Sequence, residues 1–428
     1  MKKMSRQEKS WILYDWANSV YSLVITTAIF PIYFKAAAKE AGLAGTTSTA
    51  YWGYANSLAT LMVSILAPIL GTIADYKGFK KRFFTFFFLL GIIFTGMLAV
   101  VPTSQWILLL CCYMFALIGF AGANIFYDAF LIDVTTEDRM NRVSTRGFAL
   151  GYIGSTIPFI GCMALIILSQ KGILPLSVGV TSQISFAITA LWWGLFTIPM
   201  LKNVEQRYFI ERDPNPVVTS FKRLAYTFKN IRQYRTVFFF LLAYFFYIDG
   251  VDTIITMSTS YGTDLGISAT SLIIILFVTQ IVACPFALLY GKLSETFTGK
   301  KMLYVGIIIY VIICIYAYFL KTTLDFWILA MLVATSQGGI QALSRSYFAK
   351  LIPKESANEF FGFYNIFGKF AAIMGPVLVG VTTQLTGKTN AGVLSIVVLF
   401  IIGGFLLTRV PESSSPSVTE PSQKPETL

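Results

Sequence analysis

Gly71-Thr72-Ile73-Ala74-Asp75-Tyr76-Lys77-Gly78-Phe79-Lys80-Lys81 closes an apolar run that starts at Tyr51. The same pattern returns as Gly291-Lys292-Leu293-Ser294-Glu295, followed by Gly299 and Lys300-Lys301, after an apolar run that starts at Ser271. Each copy sets a Gly, an acid four residues on, a second Gly and a Lys-Lys pair between one hydrophobic segment and the next. Two copies at matching places mean two similar halves that differ in loop length. A second echo, Gly147-Phe148 through Pro158 and Gly362-Phe363 through Pro376, supports that division.

Outward from the repeat, the chain is too apolar for water. Of its 428 residues 56% are hydrophobic and 13% charged, with a mean hydropathy of +0.69; a soluble domain cannot bury that much apolar surface. Runs of about 20 apolar residues, enough to cross a bilayer as helix, are expected at Trp11–Phe34, Tyr51–Ala74, Phe83–Val101, Trp106–Ile132, Thr145–Leu168, Thr181–Leu201, Thr236–Ser260, Ser271–Leu293, Met302–Leu320, Phe326–Tyr347, Phe360–Gln384 and Ala391–Thr408. The fold class is therefore all-α: a polytopic membrane protein of about twelve transmembrane helices in two pseudo-symmetric six-helix bundles. Residues 1–202 form the first bundle, 203–235 a cytoplasmic linker with an interfacial helix, 236–410 the second bundle, and 411–428 a Pro-, Ser- and Glu-rich tail expected to be disordered. The first apolar run has a basic flank like a signal peptide but no small-residue cleavage site, so it reads as a retained helix.

A net charge of +12 raises the question of a nucleic-acid partner, and the placement of the charge answers it. Lys2, Lys3, Arg6 and Lys9, Lys77 to Arg82, Arg139, Arg142 and Arg146, Lys202 to Arg235, Lys292, Lys300 and Lys301, and Arg345, Lys350 and Lys354 all fall in loops on one side. The other side holds only Lys35, Lys39, Lys171, Lys321 and Lys388. This asymmetry is the positive-inside rule, which places both termini in the cytoplasm and excludes a nucleic-acid reading. A multi-pass protein of the bacterial cytoplasmic membrane is expected. The five cysteines lie in expected spans and behave as small apolar residues, so no disulfide is expected.

The repeated loop has a physical logic. Gly71 lets two helices approach, Asp75 at a helix end can pair with a cation or a neighbouring helix N-terminus, and Gly78 turns the chain. Gly71, Asp75, Gly78, Lys80, Lys81 and Glu295 are thus expected to latch the halves in one conformation and release them in another. The pattern resembles the loop signature of the major facilitator superfamily between its second and third helices, with Phe79 where that superfamily usually has Arg, which puts the charge network on Lys80, Lys81 and Arg82. Within it, Tyr14-Asp15-Trp16-Ala17-Asn18-Ser19, Phe126-Tyr127-Asp128-Ala129, Leu191-Trp192-Trp193, Asp249-Gly250-Val251, Gln337 through Arg345, Phe361-Gly362 and Phe367-Gly368-Lys369 resemble the vacuole-effluxer-like branch, named for autophagy-related amino-acid effluxers. The resemblance implies a rocker-switch fold with the first, fourth, seventh and tenth helices around a central cavity.

Polar residues inside spans are costly in hydrocarbon and mark function. Asp15, Asn18, Ser22 and Thr26 make one helical stripe; Asn124 and Asp128 share a face; Asp249, Asp252, Thr253 and Thr256 line one side of the seventh span; Gln337, Gln341 and Ser344 lie on the tenth. Lys369 is read as the one cation deep in a span. Asp15, Asn18, Ser22, Asn124, Gln337, Gln341 and Lys369 are the cavity candidates. Asp249 and Asp252, like charges one turn apart, are the preferred proton-coupling pair, with Asp128 a third candidate. Structural readings stand beside these: Asp15 as an interfacial cap, Asp128 as a gate partner of Arg142 or Arg146, Asp249 or Asp252 paired with Lys369, and the glutamines as interhelical glue.

With no Walker-type phosphate loop, no Gly-x-Ser-x-Gly elbow and no His at all, the chain reads as a non-enzyme with no cofactor or metal. The expected function is secondary active transport of a small polar solute, an amino acid by family analogy, with protons as coupling ion, membrane lipid as solvent and a monomeric state. An exporter of amphiphilic compounds and, more remotely, an intramembrane enzyme using an acidic dyad are the alternatives.

Overall fold

The computed structural model describes residues 3–411 apart from 212, 230 and 265; the tail from 412 onward, expected to be disordered, lies outside the described residues. The described chain is helical almost throughout. The first half holds α1 (Arg6–Val20, continued by a π-helical stretch, Tyr21–Ala28), α2 (Phe30–Glu40), α3 (Gly45–Ala74), α4 (Phe79–Met97), α5 (Trp106–Ala129), the short α6 (Leu131–Val134), α7 (Met140–Gln170) and α8 (Val178–Asn203). After α9 (Pro216–Lys229) in the linker come α10 (Arg235–Asp264), α11 (Ala269–Phe297), α12 (Gly299–Tyr318), α13 (Thr323–Leu351), α14 (Ala357–Thr386), α15 (Thr389–Ser395) and α16 (Val397–Thr408).

Among the described residues ten helical segments are long and apolar enough to span a bilayer, and α1 with α2, bent by 41°, supplies an eleventh. The expected third span, α4, is not among them: its 19 residues open on Lys80, Lys81 and Arg82 before running apolar from Phe83. The outward faces carry Leu58, Ile65, Phe86, Ile93, Leu191, Leu195, Ile312, Ile401 and Phe405, all exposed. Lipid is the solvent that makes such a surface favourable, and helices satisfy their own backbone groups within it.

The break in the first span has a local cause. Pro31 cannot donate to the helical ladder, and the chain before it widens so that Ile29 N–H bonds Val24 C=O at 2.9 Å, a step of five residues. This stretch places Ser22 and Thr27 on one face, Thr27 Oγ1 donating to the Ser22 carbonyl at 2.9 Å. Thr26, which a 3.6-residue period puts in the polar stripe, is instead turned into the bundle with its hydroxyl buried and unpartnered. Such π-turns recur at functional sites.

The halves meet most extensively through α7 with α11 and α3 with α14, two symmetry-related pairs, and also through α13 with α7. The ion pairs and backbone contacts between the halves gather at the end that carries the basic loops, termed the basic end below.

Candidate functional site

One cation from the second half seals the floor of the central cavity. Arg345 on α13 is 4% exposed. Its Nη1 donates to Asp128 Oδ1 on α5 at 3.1 Å and its Nη2 to Asp15 Oδ2 on α1 at 3.2 Å. Nε donates to Ser144 Oγ at 3.0 Å, and that hydroxyl donates on to the Ala342 carbonyl at 2.7 Å. The guanidinium lies 4.6 Å from the ring centres of both Trp11 and Phe148 and still contributes to the vestibule lining. Charge-assisted bonds and ring contacts of this kind offset the desolvation of a buried cation.

This corrects the sequence reading, which counted Arg345 with the loop cations and offered Arg142 or Arg146 to Asp128. Arg142 faces Glu295 at 3.9 Å, and Arg146 turns to Met4. A signal for Arg345 was available: Gln337, Gln341 and Arg345 recur every fourth residue, so the cation ends the same stripe as the two amides.

Above the floor lies a vestibule of about 460 Å³, and its walls come from both halves. Asp15, Asn18 and Ser22 of the first span, Asn124 and Asp128 of α5, Gln337 and Gln341 of α13 and Lys369 of α14 all line it. Sequence reasoning missed Thr27, Tyr152, Gln280 and Asn365 on the same walls. Asn18 Nδ2 donates to Asn124 Oδ1 at 2.6 Å, which fixes the amides on one wall. Across from them Gln337 Nε2 is buried without a partner, and the Lys369 ammonium, which has Asp252 as its electrostatic neighbour, makes no close ion pair or hydrogen bond among the described residues. Buried orphan donors are rare in proteins unless water or a ligand meets them. Beside the vestibule an apolar chamber lined by Tyr261, Leu272, Phe326 and Val333 shares Gln337 and Gln280 with it.

Asp249 and Asp252 do not line the vestibule. Asp249 is fully buried against α14, where Oδ1 accepts the Gly375 N–H at 2.9 Å and the Thr253 hydroxyl at 3.4 Å, while Oδ2 has no partner. Gly375 allows this because a Cβ there would collide with Thr253 Oγ1. Asp252, partly exposed, is also outside the vestibule wall. The two acids still act on each other electrostatically, but Asp249 is bonded into α14 while Asp252 has Lys369 as its opposite charge, which is the structural pairing the sequence left open.

The repeated loop sits at the seam between the halves. Asp75 is fully buried, and its Oδ1 accepts both the backbone N–H and the side-chain amide of Asn358 at 2.9 Å. It caps the N-terminus of α14 in the opposite half, where a negative charge is favoured. Arg223 of α9 reaches Asp75 at 3.4 Å and Glu359 at 3.1 Å, so one guanidinium bridges both halves. Burial pushes the Asp75 carboxyl up to about 7, opposed by the Arg223 guanidinium and the Asn358 amide.

A Cβ at Gly71 would meet the Asn358 carbonyl, and one at Gly291 would meet Thr145 Oγ1, so both repeats bring helices into close contact across the seam, the first backbone to backbone and the second backbone to side chain. Gly78 has φ +81° and turns the chain into α4.

Lys80 plays a different part from the one expected. It is buried and pairs with Asp133 at 2.6 Å, which also accepts the N–H groups of Arg207 and Tyr208, so it ties the linker to its own half. Lys81 lines a separate open cleft with Lys77 and Arg82. Glu295, 46% exposed beside Arg142, is a weak latch of about 0–1 kcal/mol.

The family described as "Vacuole effluxer Atg22 like" matches the chain over residues 4–138 and 132–417. The chain is 65% identical over 420 residues to the uncharacterized MFS-type transporter YxiO of Bacillus subtilis (strain 168), covering 98% of each chain. It is 25% identical to autophagy-related protein 22 of Kluyveromyces lactis over 84% of this chain and 77% of the relative. In shape it is similar to the major facilitator superfamily transporter FucP in the outward conformation, with a TM-score of 0.69 and 14% identity over 95% of this chain and 98% of the other.

Proposed function

Because the chain belongs to the Atg22-like vacuole effluxer family, within the major facilitator superfamily, we propose that it is a secondary active transporter which moves an amino acid or a related small zwitterion by alternating access, coupled to protons. The observation that carries the reading is the vestibule's charge layout. Lys369, whose one electrostatic neighbour is Asp252, and an orphan Gln337 amide stand on the second half, and Asp15 and Asp128, held by Arg345, stand on the first. A carboxylate fits Lys369 and Gln337, an ammonium fits the Asp15 and Asn18 wall, and the neighbouring apolar chamber takes a side chain.

In this reading the described state has its basic, cytoplasmic end sealed and its vestibule open on the other side. A proton delivered to Asp128 removes one of the charges that hold Arg345, and a bound carboxylate offers that cation a new partner. Either event loosens the floor, and the halves then rock about the solute. The coupling seat thus moves from Asp249 and Asp252 to the floor acids. A monomer suffices, since both walls come from one chain. FucP, described in a second structure as the Escherichia coli fucose:proton symporter, lends the coupling ion support by analogy.

The test is uptake of labelled amino acids into proteoliposomes with and without an imposed proton gradient. Gradient-stimulated flux of one or more is expected, with Lys369→Gln raising the apparent KM roughly 30-fold, the equivalent of about 2 kcal/mol. No stimulated flux for any member of the panel, alongside active efflux of lipophilic dyes, would replace this reading with export of amphiphiles.

A further inference from the structure

Helix α9 turns Ser220, Arg223, Thr227 and the partly buried Leu224 to the protein and an apolar strip away from it. Ser220, Arg223 and Thr227 lie on the inner side: Arg223 bridges Asp75 and Glu359, and Thr227 Oγ1 donates to Glu359 Oε1 at 2.6 Å. On the outer side Val217, Val218 and Phe221 are 51%, 56% and 51% exposed, and Ala225 is exposed beside them. Lys222 and Lys229, one helical repeat of seven apart, form an exposed basic edge along that strip. A contiguous apolar strip with a lysine border is unfavourable in water and fits the headgroup–acyl boundary of a bilayer.

Position favours the same partner. Helix α9 packs on the end of α3, whose outer face presents Leu58, Leu61 and Ile65 to lipid. It also lies between the end of α8 and the start of α10, where the bilayer surface must run.

We propose that α9 is a lipid-reading arm of the gate, a binding surface for anionic phospholipid that holds Arg223 in the seam and so favours the sealed basic end. A ligand shifts an equilibrium only through different affinity for the two states. The difference here is built in. When the basic end opens, Asp75 on α3 and Glu359 on α14 move apart with their halves, and one guanidinium can no longer span them. Arg223 must release one partner, and α9 loses the seat that aligns its lysines and apolar strip with the membrane. Anionic lipid therefore binds the sealed state better. The inference rests on the membrane fold alone and needs no knowledge of the transported solute.

The test uses the full chain in nanodiscs of phosphatidylcholine, or of phosphatidylcholine and phosphatidylglycerol in equal parts, with Cys111 replaced by Ser. Spin labels at Thr136→Cys and Glu355→Cys report the distance across the basic end, and a label at Phe221→Cys reports contact with dissolved oxygen against an aqueous nickel chelate. The sealed population should rise in anionic lipid by roughly fivefold for each lysine engaged, with the label at 221 in the apolar phase. Lys222→Gln with Lys229→Gln should abolish the rise. Arg223→Gln should make the distance indifferent to lipid. A label at 221 that meets the aqueous quencher, equal distances in both lipids, or a lipid response that survives Arg223→Gln would each overturn the proposal.

Discussion

At the scale of single residues the floor is one cation between two acids. Removing a partner from a buried ion pair costs about 3–5 kcal/mol because the remaining charge is stranded. Arg345→Gln strands Asp15 and Asp128 together, so the sealed state should lose most of its population; the label distance across the basic end should lengthen, and Arg345→Lys should give an intermediate distance. A second residue makes the seam sensitive to pH. Asp75 has its carboxyl pushed up to about 7 by burial, with Arg223 and Glu359 as charged neighbours. Opening the seam to water would return it towards its ordinary 3.8. The sealed state thus holds a proton that the opened state has released. Its advantage is complete below the lower value and lost as pH rises through the higher one. Acidifying across that window should increase the share of sealing that Asp75 supplies, against the loosening at the floor, so Asp75→Asn should weaken sealing at the acid end of the profile; an unchanged pH profile in that variant would sink the assignment.

At the scale of helices, close approach decides which conformation is reached. Gly71→Val and Gly291→Val place methyl groups where Asn358 and Thr145 sit. Each variant should still fold, since both seams join halves whose own cores are untouched, but should rest with the basic end open. Thiol labelling of Glu359→Cys from the basic side would read this, and protection equal to that in the parent background would contradict it.

Helix-scale features were also where the sequence was least transparent. The wall stripe of Asp15, Asn18 and Ser22 is readable because a regular helix repeats every three or four residues. Beyond Tyr21 the count changes to five, and Thr27 replaces Thr26 on the wall, an effect of Pro31 that periodicity alone cannot convey. Lys80 and Lys81, adjacent in sequence, diverge into a buried ion pair and an open cleft because consecutive helical residues point about 100° apart. The orientation of Asp249 depends on Gly375, more than a hundred residues away, and no local pattern encodes such a contact.

For the whole molecule, the architecture was legible because it depends on composition, repeat and charge asymmetry, which are global properties of the chain. Which acids face the centre was not, because that depends on how two bundles dock. The docked arrangement predicts one-sided access. A membrane-impermeant thiol reagent should modify Ser22→Cys or Thr27→Cys from the side opposite the basic loops and leave them untouched from the basic side; equal rates from both sides would be incompatible with a sealed floor.

That sealed floor has an electrical consequence. A vestibule that admits electrolyte sits at nearly the potential of the bath it opens to, so the membrane voltage falls across the thin septum around Arg345. Asp15, Asp128 and the guanidinium between them would then sit in a concentrated field, worth about 2.3 kcal/mol per elementary charge for each 100 mV. The energised membrane would pull on the lock itself as well as on the cargo.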